Sequence, residues 1–263
     1  MRIIWLIFAI AFTKIDLDIA IDEIWINHVE GSQKNDLNQE VYYMVEKYIN
    51  RNNKAERYPS DCSTTNGIHT IQLVGREPFD VLCNSTWMVI LNRFDGQLNF
   101  YRDWQTYKDG FGNLSSEFFI GLDKLHAITA SQDHEIYIRL EDFDGSTTYA
   151  LYDDFLVGNE ADFYAMEKLG NYTGDAGDSL SYHLNMKFST YDNDNDGYSG
   201  NCAIERMGAW WYNWCNNSHL FGMYLRGNYT PEIGVRGITW WDWRGPYYSY
   251  KKVQMFVRPK TFV

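Results

Sequence analysis

The stretch Asp192–Cys215, DNDNDGYSGNCAIERMGAWWYNWC, sets three carboxylates within five residues ahead of a loop with a cysteine at each end, Cys202 and Cys215. Asp192, Asp194 and Asp196 repel one another at a cost that rises as water is excluded, so a run of this kind keeps one shape when a cation offsets the charge. Oxygen donors select Ca²⁺. Gly197 and Gly200 let the backbone turn, so that the carbonyls of Tyr198 and Gly200 join the carboxylates in a shell of six to eight oxygens. The competing reading is an acidic turn open to solvent. An EF-hand also begins D-x-D-x-D-G, but its twelfth position, the bidentate Glu, falls here on Ala203. The exit helix it needs is pinned by Cys202 and broken by Gly208, so the calcium reading stands without the EF-hand.

Outward from this stretch, 263 residues with 45% hydrophobic content suffice for a large core and argue against disorder. A net charge of −12 repels phosphate backbones and anionic membranes, which removes nucleic acid as a partner. Aromatic residues make 17% of the chain, and most of them are expected in the core. Residues 1–20 are read as a signal peptide: Arg2 is followed by ten apolar residues, Ile3 to Phe12, and ten helical residues rise only about 15 Å, half of a bilayer core. The cleavage site stays open between the Ala9-x-Ala11 pair and positions near Ile15 or Ala20. Residues 21–57 are read as a stem or linker with one short amphipathic helix on Leu37, Val41, Met44 and Tyr48, a helix leaning on the main domain or a weak homo-oligomer contact. The domain proper runs over 58–263.

Four cysteines behind a signal peptide point to disulfides, and of three pairings the local one, Cys62–Cys83 with Cys202–Cys215, is expected. Each short loop would remove roughly 3 kcal/mol of unfolded-chain entropy. Sequons begin at Asn84, Asn113, Asn171, Asn216 and Asn228, as in a secreted, extracellular glycoprotein. Strands are predicted over 68–74, 87–92 and 98–101, and a hairpin over 135–140 and 147–153 turns at Asp144-Gly145. Helices are predicted over 113–121 and over 124–129 behind an Asp123 cap, a last strand over 252–258, and a loop-built region between 171 and 237.

Several motifs, in order, resemble one family: FYRDWQTYKDGFGNLSSEFFIGLDKLHAIT from Phe100, AGDSL from Ala176, FSTYDNDND from Phe188, NCA at Asn201, GAWWYNWC from Gly208 and MFVRP from Met255. Over roughly 58–263 the chain is similar to the fibrinogen C-terminal domain of fibrinogen chains, ficolins, tachylectins, tenascins and angiopoietins. The resemblance implies an α+β fold with a twisted, mainly antiparallel central sheet, helices and a loop-rich calcium-binding part. It implies calcium ligands at Asp194, Asp196, Tyr198 and Gly200, with Asp192 behind them, and a ligand pocket at Arg206, Trp214, Cys215, Asn216 and Tyr247. It further implies a cis bond between Trp214 and Cys215.

Departures from the family's pockets are equally specific. Asn216 stands where acetyl-binding members have His, Arg206 and Gly234 where they have Tyr, and Tyr247 where they have Trp. N-acetyl binding is therefore not expected, and Arg206 favours an anionic ligand beside Trp210, Trp211 and Trp214, unless two of those rings are core. The expected function is secreted, calcium-dependent recognition of glycans or other surface structures, as in innate immunity; the alternative is an extracellular ligand or adhesion module for a protein receptor. An enzyme is not expected: no G-x-S-x-G, H-E-x-x-H or phosphate-cradling loop occurs, and His183 and His219 are read as structural.

Overall fold

The last strand of the chain lies at the middle of its main sheet. In the computed structural model, which describes residues 58–260, Lys252–Pro259 is inserted between Trp87–Arg93 and His134–Glu141. The full order is Gly67–Ile71, Phe79–Asn84, Trp87–Arg93, Lys252–Pro259, His134–Glu141, Thr147–Tyr152 and Tyr172–Gly174, and every neighbouring pair is antiparallel. Val253, Met255, Phe256 and Val257 of the closing strand are buried, which suits a strand paired on both edges. Its pairing with His134–Glu141 is unbroken from Lys252↔Glu141 to Pro259↔His134. Toward Trp87–Arg93 the register shifts between Met255 and Phe256, which leaves Ile90 as the bulged residue, and its carbonyl accepts from Ile120 N at 3.0 Å.

The hairpin expected at Asp144-Gly145 forms, with Asp142 Oδ1 accepting from the backbone N–H of Asp144 and of Ser146. Three other expectations are corrected. Residues 113–121 do not make a helix: Asn113 turns the chain by accepting from Ser115 N and Ser116 N, and Phe118–Phe119 then pairs with Asn92 and Leu91 as a two-residue strand. Consecutive buried Phe118, Phe119 and Ile120 would point all round a helix, whereas beside the sheet each finds a packed neighbour. Residues 98–101 are not a strand; Leu98 N is taken by the Glu117 carboxylate. The second predicted helix runs over Leu122–Ser131 with Gly121 at its cap position, because Asp123 accepts instead from the Tyr164 hydroxyl.

A helix that periodicity did not reveal, Trp104–Asp109, is capped by Asp103, whose Oδ1 accepts from Thr106 N at 2.8 Å. Between 175 and 250 the backbone has only two-residue ladders and short helical turns, so side chains hold it. The buried Phe221 ring meets Phe100, Tyr107, Phe119, Phe188 and Trp210 at centroid distances of 4.9–6.2 Å. Those rings fasten the loop-built part to the sheet.

Candidate functional site: the acidic loop and the disulfide loop

The acidic run is separated by its hydrogen bonds into two jobs. Asp192 is engaged by another element: its Oδ1 accepts from Trp104 N at 2.9 Å and from Thr190 Oγ1 at 2.7 Å, holding the helix Trp104–Asp109. Asp196 turns inward, with Oδ1 on Tyr198 N and Oδ2 on Cys202 N, at the start of the short helix Cys202–Arg206. Asn201 caps that helix through Ile204 N, and Met207 ends it in a left-handed conformation, φ 56°.

Burial, opposed by those two amides and reinforced by the neighbouring Asp194, pushes the Asp196 carboxyl up to about 6. A carboxylate so placed is a group that a cation would stabilise. Among the described residues no three His, Cys, Asp or Glu side chains converge as a metal cluster. A cation at Asp194 and Asp196 would therefore draw its other oxygens from the Tyr198 and Gly200 carbonyls and from water, a donor set that fits Ca²⁺.

Cys202 and Cys215 are bonded, as are Cys62 and Cys83, so the helix is tied to the segment that follows the tryptophan run. Gly197 N donates to the Asn213 carbonyl at 3.1 Å, a second tie between the acidic loop and that segment. Arg206, one helical turn after Cys202, lies close enough to Tyr212, His219 and Tyr229 for its charge to act on all three. Its Nε is buried without a hydrogen-bond partner. Trp210 and Trp211 are core, the latter donating Nε1 to Tyr164 O, and only Trp214 reaches the surface, 72% exposed with its ring against the edge of Tyr198. Of the three rings expected to form an aromatic shelf, one is at the surface.

Two further expectations change. The Trp214–Cys215 bond is trans, and Cys215 makes the turn with φ 53°. Asn216 is 3% exposed with both amide atoms buried, so its sequon is closed to a glycan, whereas Asn84, Asn113, Asn171 and Asn228 are exposed. Tyr247 is 38% exposed; its carbonyl accepts from Tyr229 N and its ring packs on Tyr229 at 6.0 Å, and it is Tyr229 that lies within the field of Arg206.

Residues outside the expected set complete the site. Tyr182 accepts from Asn213 Nδ2 through its carbonyl and donates its hydroxyl to Trp214 O at 3.5 Å. His219, buried beside Gly208, shares a hydrogen bond with the Tyr212 hydroxyl, and a Cβ at Gly208 would stand 2.5 Å from its Nε2. No spacing in the sequence signals these contacts, since each joins segments 7 to 32 residues apart.

Residues 52–260 match the family described as fibrinogen beta and gamma chains, C-terminal globular domain. The chain is 43% identical to angiopoietin-related protein 6 of Mus musculus over 197 residues, 73% of this chain and 43% of that protein, so it spans less than half of that relative's length. It is 38% identical to human fibrinogen-like protein 1 over 235 residues, covering 80% of this chain and 75% of that one. Among solved structures, the fibrinogen-like globe domain of human ANGPTL2 aligns with a TM-score of 0.74 at 36% identity, over 77% of this chain and 99% of that domain. Lamprey fibrin D-dimer, complexed with the peptide Gly-His-Arg-Pro-amide, aligns with a TM-score of 0.73 at 29% identity, over 100% of this chain and 93% of that chain. By this match, with the sheet order and the two disulfides beside it, the chain belongs to the fibrinogen C-terminal globular domain family.

Proposed function

We propose that this domain is an extracellular, non-catalytic recognition module that binds a protein partner at the face carrying Trp214, Arg206 and Tyr247, braced by Ca²⁺ at Asp194, Asp196, Tyr198 and Gly200. The observation that carries the reading is the exposure of Trp214: an indole left 72% in solvent, on a loop tied by a disulfide and by two backbone carbonyls, is an anchor of the kind that dominates protein interfaces. The likeness to angiopoietin-related and fibrinogen-like proteins supports a protein partner, and so does the peptide held by lamprey fibrin. Two disulfides fit an oxidising, extracellular setting, and no helix of the described residues is long and apolar enough to cross a membrane. The histidines nearest the face are engaged by core partners, His183 by backbone groups and His219 by Tyr212, which supports recognition without turnover.

Recognition of a glycan is the second reading, favoured by the same open indole, since a ring stacks on a sugar as readily as on a side chain. Panning against extracellular protein domains and against a glycan array, each with Ca²⁺ and with EDTA, separates the two. A protein hit lost in Trp214→Ala supports the proposal. Hits confined to glycans, or binding indifferent to Trp214, would overturn it.

A further inference from the structure

The segment that presents Trp214 is held by one side chain far upstream. His183, in the helical turn Ser181–His183, is fully buried, and its ring lies edge-on to Trp210 and to Tyr182, at centroid distances of 6.1 and 5.3 Å. Its Nδ1 is 2.7 Å from the Trp211 carbonyl, and its Nε2 is 3.3 Å from Asn217 N and 3.1 Å from Ser218 N. A carbonyl only accepts and a backbone N–H only donates. The partners therefore fix the tautomer: neutral imidazole with the proton on Nδ1 and the Nε2 lone pair shared by two amides.

These three bonds span 28, 34 and 35 residues and grip the backbone just before and just after the stretch Tyr212–Asn216. Between the grips the chain makes the left-handed turn at Cys215 and exposes Trp214. The neighbouring Tyr182 adds its own two contacts, to Asn213 and to Trp214 O. We infer that His183 is a positioning residue of the recognition face: as a neutral Nδ1–H imidazole it fixes the two ends of the 211–218 segment and thereby the presentation of Trp214. Burial pushes its pKa down to about 3, so this state persists at every physiological pH.

The inference rests on the proposed function only for what the segment is for; the grip itself is tested without a ligand, so the two fail separately. Hydrogen exchange of peptides covering 212–219 is compared with exchange over the central strand, 252–259, in the full-length protein. Asn at position 183 reaches Trp211 O but not the two amides, whereas Gln places an acceptor near the former Nε2. His183→Asn is expected to speed exchange across 212–219 at least tenfold with the central strand unchanged, and His183→Gln to restore much of the protection. Uniform loss of protection in both variants, or none, would show a residue that merely fills space. Where a variant does not fold, ¹⁵N NMR of the wild-type protein decides: the ring assigned to His183 must be neutral with the proton on Nδ1 from pH 5 to 8, and any other state of that ring removes the inference.

Discussion

Arg93 and Leu220 lie 127 residues apart, and the buried Arg93 guanidinium donates from Nη1 to the Leu220 carbonyl at 2.9 Å and also to Gly222 O. The cation sits 3.9 Å over the Phe100 ring, and Glu117 is the nearby charge that favours its protonated form. Burial lowers its pKa to about 10, which still leaves it charged at neutral pH. A strand of the central sheet is thus bonded directly to the loop-built part that carries the proposed recognition face. Glu117 completes the junction by gathering the N–H groups of Phe94, Asp95, Gly96 and Leu98 on one carboxylate.

Glu117 makes acid stability readable at one residue. Burial alone would raise its pKa, but the four amides outweigh it and the folded value is lowered. A depressed folded pKa adds stability that is present above the unfolded value of about 4.3 and is lost as pH falls through the folded one. Urea midpoints should therefore hold between pH 7 and 5 and decline below about pH 4. Glu117→Gln should lower the unfolding free energy at pH 7 by about 2–4 kcal/mol, and the urea midpoint with it, and flatten the acid limb, since a neutral amide leaves part of the cage unpaired. An unchanged pH 7 midpoint in that variant would refute the cage.

The two tryptophans of the disulfide loop should separate stability from recognition. Trp211→Ala removes a fully buried ring and its bond to Tyr164 O, and should cost about 3–5 kcal/mol in thermal or urea unfolding. Trp214→Ala should change stability by no more than about 0.5 kcal/mol, because its ring is largely in water. Comparable losses in both would mean that Trp214 is packed.

Calcium affinity is expected on the order of millimolar to submillimolar, the range of extracellular modules, with two carboxylates and a loop held mainly at its ends. Calorimetry on Asp194→Ala should show no site. Asp192→Asn should retain it with a small loss of stability, since Asp192 is engaged by Trp104 N and Thr190. Equal calcium binding in wild type and Asp194→Ala removes the assignment.

Glycopeptide mass spectrometry of the protein from a secretory host should find glycans among Asn84, Asn113, Asn171 and Asn228, which are exposed, and none at Asn216, whose amide is enclosed. A glycan on Asn216 in correctly folded protein contradicts the buried turn.

The sequence by itself determined what is local or motif-borne in this protein. The 134–141/147–152 hairpin follows from alternation around Asp144-Gly145, the last strand from its β-rich run, and the acidic loop with its flanking cysteines from charge and spacing. Motif resemblance supplied the α+β family and the candidate pocket at Arg206, Trp214, Cys215, Asn216 and Tyr247. Only the tertiary structure decided which of these groups face one another. Three tryptophans in GAWWYNWC have the same chemistry, yet two are core and one is surface, because the bonds of His183 to Trp211, Asn217 and Ser218 fix where the chain turns. Asp192 and Asp196 are equivalent in a D-x-D-x-D run, and they diverge because one meets Trp104 N and the other the start of a helix. The helix predicted over 113–121 became a turn and a strand for the same reason: propensity is decided within a few residues, while Glu117 and Phe118–Phe119 find their partners across 19 to 28. Side-chain hydrogen bonds over such separations have no period to read, so the sequence holds the groups and the fold assigns their partners.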